Sequence, residues 1–318
     1  MIRSYREMKW SDVGHMLKRT FQGFVNDRAL KLSASLSYYT VFSMAPLILL
    51  VISLAGFFLG EDAARGHIFT ELNGLIGNGA AAQIQEVIKN MELSGKTTMA
   101  LIIGIVTLII GATSVFGDIQ DSINIIWRVK AKPKRGWVKL LKDRLTSSSL
   151  IIGLGFLMIV SLLINGVLMA LNAWLRSYFP ETTLILFEIL NIAIVMAVIW
   201  LLFSVIFKVL PDAEIRWKDV RMGAFFTMLL FMLGRYLISL YIETTGAGSA
   251  YGAAGSLIVI LVWVYYTAAI LYFGAEFTRA YTEFTGARIK PAEYAVYVEE
   301  MEREREVDEI PPKKIVRN

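Results

Sequence analysis

The chain has no cysteine, only two histidines and seven prolines in 318 residues. Without cysteine there is no disulfide, thiolate zinc site, iron–sulfur cluster or cysteine nucleophile. His15 and His67 fall on opposite sides of the membrane in the topology read below. A Ser–His–Asp triad and a histidine metal cluster are therefore both hard to build. Charge is sparse, at 19% of residues, and gathered into a few segments. The glycine-rich stretch "GAGSAYGAAGS" lacks the Lys-Ser/Thr ending that grips a nucleotide phosphate. Nothing resembles an RNA-binding module, because the basic clusters are loops that a membrane topology already requires. The first 35 residues carry no apolar core of signal-peptide length, and no internal repeat is visible.

What is abundant is apolar surface. Hydrophobic residues make up 56% of the chain and the mean hydropathy is +0.56, above the roughly 45–50% apolar content of soluble domains. Six stretches are long enough to cross a bilayer as helices of about 20 residues. They are Tyr38–Leu59, Thr97–Gly117, Leu145–Leu171, Thr183–Phe207, Met222–Ile242 and Ala253–Ala275. Of the 32 Lys and Arg, 27 fall in residues 1–35, 128–144, 208–221 and 279–318. By the positive-inside rule these four segments are cytoplasmic. The expected fold is all-α: a polytopic bundle of six transmembrane helices, both termini cytoplasmic, with short external amphipathic helices in residues 61–96. The domain reading is an amphipathic N-terminal segment (1–35), a membrane domain (36–281) and a charged cytoplasmic tail (282–318), expected to form a short exposed helix and then a disordered end.

In the first segment Trp10, Val13, Leu17, Phe21 and Phe24 recur at helical spacing beside Lys18, Arg19 and Arg28. This stripe suits either the anionic cytoplasmic leaflet or the protein's own cytoplasmic face. Anionic headgroups are thus expected partners, with a second copy or an envelope protein as a further one. No nucleic acid and no cofactor are expected.

Polar groups inside a bilayer are costly, so each is a candidate for function. Glu188 and Arg235 reach similar depth on spans four and five and suit a pair. The first span is hydroxyl-rich. Ser33, Ser37, Thr40 and Met44 share one face, Ser35, Tyr39 and Phe42 an adjacent one, with Tyr38 among them. Pro46 then frees a carbonyl and kinks the helix. A wet cavity is one reading of these hydroxyls, and hydrogen bonds to neighbouring helices the other. Asp118 and Asp121 lie one turn apart at the cytoplasmic end of span two, where acids call for a basic partner such as the 128–144 loop. Glu276 closes the last span, with Arg279, Arg28 or Lys31 as its expected partner. Gly252, Gly255 and Ser256 open that span as a tight turn, a gate, or backbone N–H groups facing an anion.

Three stretches carry a resemblance: "ALKLSASLSYYTVFSMAPLILLVI", "GDIQDSINIIWRV" and "AGSAYGAAGSLIVILVWVYYTAAILYFGAEFTRAY". In these, from about Gly23 to Tyr281, the chain resembles the YihY/virulence factor BrkB family. The resemblance implies a bacterial inner-membrane protein with about six spans. An older label for that family is ribonuclease BN, which this sequence supports with no nuclease metal site. Three functions stay open at this point: a transporter-like or lipid-handling protein, a non-catalytic envelope assembly or structural protein, and a membrane-embedded hydrolase. The first is preferred, without enzymatic activity.

Overall fold

The computed structural model describes residues 10–43, 98–132, 182–245 and 255–299. Their architecture is mostly helical. Helix α1 is Trp10–Asn26 and α2 covers residues 29–43. Long helices follow: α3 (Thr98–Ile126), α4 (Thr182–Val209), α5 (Trp217–Thr245) and α6 (Gly255–Phe284). Four short strands lie between and after them: β1 (Val129–Ala131), β2 (Ala213–Glu214), β3 (Lys290–Pro291) and β4 (Ala295–Tyr297). Among the described residues, three helices are long and apolar enough to cross a membrane, with spans Ile192–Val209, Trp217–Tyr241 and Leu257–Phe284.

The spans outrun their apolar runs. Helix α3 continues nine residues past Gly117, and α6 continues to Phe284, because both bury polar residues against other helices where the apolar run stops. Helix α6 is the hub, packing most extensively against α5 and also against α1 and α3. The core alternates at three- and four-residue steps: Ile119, Ile123 and Ile126 on α3, Phe203 and Phe207 on α4, Ala224, Met228 and Phe231 on α5, and Ala268, Tyr272 and Ala275 on α6. That is the stripe a packed helix needs.

The α5–α6 crossing is unusually close. Gly223 and Thr227 on α5 meet Thr278 and Gly274 on α6 as reciprocal pairs. A Cβ built on Gly223 would overlap Thr278, and one built on Gly274 would overlap Thr227. Each threonine turns its hydroxyl back to the glycine carbonyl four residues earlier, Thr227 at 2.8 Å and Thr278 at 2.7 Å. Small residues at this spacing let two backbones approach where lipid supplies no hydrophobic drive for helix association.

Helix α1 presents two faces. Asp12, Met16, Thr20 and Asp27 are buried, with Met16 in a cluster with Phe277, Ala280 and Tyr281 of α6. The apolar stripe read from the sequence is divided: Leu17 and Phe21 (61% exposed) face outward together with Val25 (57%), whereas Phe24 packs on the core against Phe273. The helix therefore packs on the protein through a mostly polar and small face and turns most of its apolar face outward. Arg28, with φ of 52°, forms the joint to α2. The left-handed region costs a non-glycine residue about 1–2 kcal/mol.

After α6 the first part of the segment read as a charged tail is ordered, and the stretch expected to form a short exposed helix, beyond residue 299, lies outside the described residues. Gly286 (φ 73°) ends α6, with Gly286 N–H bonding Glu283 O and Ala287 N–H bonding Thr282 O. This is a Schellman cap, which favours glycine. The chain then returns as two antiparallel ladders. β4 pairs with β1 (Val129 opposite Tyr297, Ala131 opposite Ala295), and β3 pairs with β2 (Ala213 opposite Pro291). The segment that composition marks as a solvated tail is, through residue 299, a clasp across the ends of α3, α4 and α6. Residues 61–96, the third stretch Leu145–Leu171 and residues 300–318 lie outside the described residues.

Candidate functional site

On α6, Tyr272, Glu276, Arg279 and Glu283 recur at steps of four, three and four, so they share one face. That face meets α1, α2 and α3 in a buried polar file. At its inner end Tyr272 is fully buried, and its hydroxyl faces Ser122 and Asp118 of α3 without closing a hydrogen bond. The other Asp118 oxygen, Oδ1, accepts a 2.6 Å hydrogen bond from Ser35 Oγ on α2.

One turn along, Glu276 is buried against α1. A Cβ on Gly23 would run into its carboxyl group, so a larger residue there would push the Glu276 carboxyl aside. Asp27, four residues on and just past the end of α1, faces the same carboxyl. Asp27 Oδ1 pairs with Arg128 at 2.5 Å, and its Oδ2 lies 3.8 Å from Arg279 Nη1. Arg128 reaches Asp27 from a left-handed residue (φ 57°) just after α3. Arg279 also donates to Ile126 O at 2.8 Å and to Glu283 Oε1 at 3.2 Å. Trp127 Nε1 donates to Ala275 O at 3.1 Å and so ties the end of α3 to α6 beside the cluster.

Among the described residues, five buried side-chain polar atoms have no hydrogen-bond partner. Four belong to this file: Asp27 Oδ2, Asp118 Oδ2, the Tyr272 hydroxyl and Glu276 Oε1. The fifth is Trp263 Nε1. Native structures pair the great majority of such groups, and unpaired ones concentrate where structure is spent on function. Three are carboxyl oxygens, which lack a donor or a cation, and the fourth is a hydroxyl that can donate or accept. No group of three His, Asp or Glu among the described residues is arranged for a metal ion.

A second buried acid does a different job. Asp212, between α4 and β2, accepts hydrogen bonds from Gln120 (3.1 Å) and Asn124 (2.9 Å) of α3. Its own N–H bonds Asn124 Oδ1 at 2.9 Å, and its carbonyl accepts Ala292 N–H at 3.0 Å. Every oxygen is used, so this is a rivet holding three chain segments.

The residues singled out from the sequence divide accordingly. Asp118 and Glu276 fall in the file. Asp118 bonds a serine on α2, and the ion pairs of Arg279 run to Asp27 and Glu283, so the expected Glu276–Arg279 pair is replaced by Glu276 facing Asp27. Ser33, Ser37 and Thr40 donate to the backbone of their own helix, at Ala29, Ala34 and Leu36. Those hydrogens are thereby used inside α2, and Ser35 alone of that span's described hydroxyls donates to a side chain on another helix. Tyr38, Tyr39 and Phe42 stand exposed as a mutually packed aromatic group. Asp121 is exposed and engaged, and Arg235 is half-buried and engaged. Glu188 lies in α4, but its side chain is outside the described residues, as are Met44, Pro46 and Gly252. Gly255 and Ser256 open α6, again with side chains outside the described set. Sequence reasoning missed Asp27, Arg128 and Tyr272. An acid in "FVNDRALK", one turn after Gly23, was the available signal.

Apolar helices of spanning length, with ionisable groups buried between them, define an integral membrane protein built of α-helices. The particular family follows from comparison. The model of the family described as virulence factor BrkB matches residues 20–296, and the chain belongs to that family. It is 26% identical over 286 residues to a UPF0761 membrane protein of Pseudoalteromonas atlantica, covering 86% of this chain and 91% of the relative. A UPF0761 membrane protein of Tolumonas auensis is 26% identical over 301 residues, covering 89% and 93%. One of Rhodospirillum centenum is 24% identical over 284 residues, covering 87% of this chain and 60% of the relative. No solved structure matches the chain.

Proposed function

We propose that this is a transporter-like, non-catalytic protein of the bacterial cytoplasmic membrane that handles a lipid or envelope-related substrate. The observation that carries the reading is the buried polar file on α6, most of it within the span Leu257–Phe284. Ionisable residues at such positions mark substrate or ion pathways far more often than they mark stability.

Six spans with both termini on one side are supported by parity. The β1–β4 and β2–β3 ladders gather the ends of α3, α4 and α6 and the start of α5 at one end of the bundle. The Asp27–Arg128 pair brings the start of α2 to the same end. The third apolar stretch, between residues 132 and 182, is of spanning length and fits this arrangement. Arg128, Lys130, Lys208, Arg216 and Lys290 lie on or beside these ladders, which supports a cytoplasmic side by the positive-inside rule. The outward apolar face of α1, flanked by Lys18, Arg28 and Lys31, suits an anionic leaflet as its partner.

The test is reconstitution. Vesicles containing the purified chain and fluorescent phosphatidylglycerol should move that lipid between leaflets faster than protein-free vesicles, and the Glu276→Ala protein should lose most of the excess. A folded protein that moves neither this lipid nor ions would refute the reading in favour of envelope assembly. Lipid hydrolysis in the same vesicles would favour the hydrolase.

A further inference from the structure

We propose that Glu276 is a proton-binding site, with the proton held between its carboxyl group and Asp27 at the α1–α6 contact. The chemistry around the pair selects the occupant. Just after α1 comes Asp27, and just after α3 comes Arg128. From α3 itself comes Asp118, one helical turn away beside Tyr272. From α6 come Arg279 and, at the exposed edge, Glu283, which also meets Arg19 of α1 at 3.7 Å. Helix α5 packs uncharged groups against the Glu276 turn of α6, with Phe226 stacked on Phe277 and Gly223 against Thr278. Both guanidiniums form ion pairs with Asp27 and act on Glu276 through space. Two carboxyl groups facing each other out of water do not both stay ionised. Asp27 holds the cations, so the proton resides on Glu276. A hydrogen on Glu276 supplies the donor that the unpartnered Asp27 Oδ2 lacks.

The site has a built-in output. Gly23 lies directly on the Glu276 carboxyl group, so α1 is seated on the group that binds the proton. Releasing the proton to water leaves two facing carboxylates under that contact, and the repulsion acts on α1. The inference deepens the transport reading by naming the proton as the coupling ion, and rests on that reading only for this role.

Infrared difference spectroscopy on the full chain in phosphatidylethanolamine–phosphatidylglycerol nanodiscs tests it. At neutral pH the wild type should show the carbonyl stretch of a protonated carboxylic acid, shifted in D2O and lost under alkaline conditions. Glu276→Gln should abolish the band, Asp27→Asn should shift it by changing its acceptor, and Glu283→Gln should leave it in place. If Glu276→Gln does not fold, Glu276→Asp keeps a carboxyl and must move the band. A folded wild type without the band, or a band that survives Glu276→Gln unaltered, overturns the proposal. The band is read without any transport assay. A band with no lipid or ion movement upholds the proton site and rejects the transport reading, and movement with no band does the reverse.

Discussion

Replacing Gly223 with alanine adds one methyl group at the closest approach of α5 and α6. The added Cβ meets Thr278 at Oγ1, at Cβ (2.8 Å) and at Cγ2 (3.0 Å). Turning the threonine side chain relieves only part of this, because its Cβ is fixed to the backbone and its hydroxyl is bonded to Gly274 O. The helices must separate. Overpacking of this kind costs about 1–3 kcal/mol, and alanine recovers about 1 kcal/mol of helix propensity. Weighting the fixed Cβ contact toward the upper half, the net destabilisation is about 1–2 kcal/mol. The decisive comparison is with Thr278→Gly, which removes the opposing atoms. In that background Gly223→Ala should be neutral or stabilise by up to about 1 kcal/mol. The coupling energy between the two sites is then about 1–3 kcal/mol, read from a double-mutant cycle of unfolding in bicelles. If Gly223→Ala has the same effect in both backgrounds, the reciprocal glycine–threonine packing does not hold this crossing together.

Three further outcomes follow from other parts of the structure. Arg128→Ala strips Asp27 of its nearest cation and should destabilise toward the lower end of the roughly 3–5 kcal/mol seen when a buried pair is broken, since Arg279 remains; Asp27→Asn in the same chain should recover part of it in the same unfolding assay. Asp212→Ala leaves the Gln120 and Asn124 amides short of an acceptor and should cost about 1.5–3 kcal/mol, with faster proteolysis near residue 292 as its local signature. Because the chain has no cysteine, Phe21→Cys gives a single labelling site. A nitroxide there should be more accessible to oxygen than to a polar nickel chelate, and the reverse would place the outer face of α1 in water.

The helices were legible because an apolar run of spanning length leaves few other structures open to it. Their ends were not. Apolar content stops at Gly117 and Ala275, whereas α3 and α6 continue by burying Asn124, Trp127, Glu276 and Thr278 against partners that only folding supplies. The α1 stripe was read correctly as amphipathic, but the sequence does not say which face meets protein. The protein-facing side is Asp12, Met16, Thr20, Gly23 and Asp27, which looks like the wet face until Glu276 is opposite it. Asp118 and Glu276 stood out as acids at the ends of apolar runs. Asp27 and Arg128 did not, because each resembles an ordinary flanking charge until residues a hundred positions apart are brought together. The four strands are two or three residues long and carry no alternating pattern, so only their pairing identifies them.

The β1–β4 ladder also imposes an order of assembly. Val129 to Ala131 emerge from the ribosome long before Ala295 to Tyr297, and four segments of membrane insertion separate them in the topology proposed above. Until then β1 is an open edge, and β2 waits likewise for β3. Such long-range pairing closes last because its loop entropy is recovered only when the ends meet. A chain stopped before residue 290 therefore leaves both edges unmatched. Quality-control proteases in the membrane would have a ready mark by which to tell an unfinished copy from a complete one.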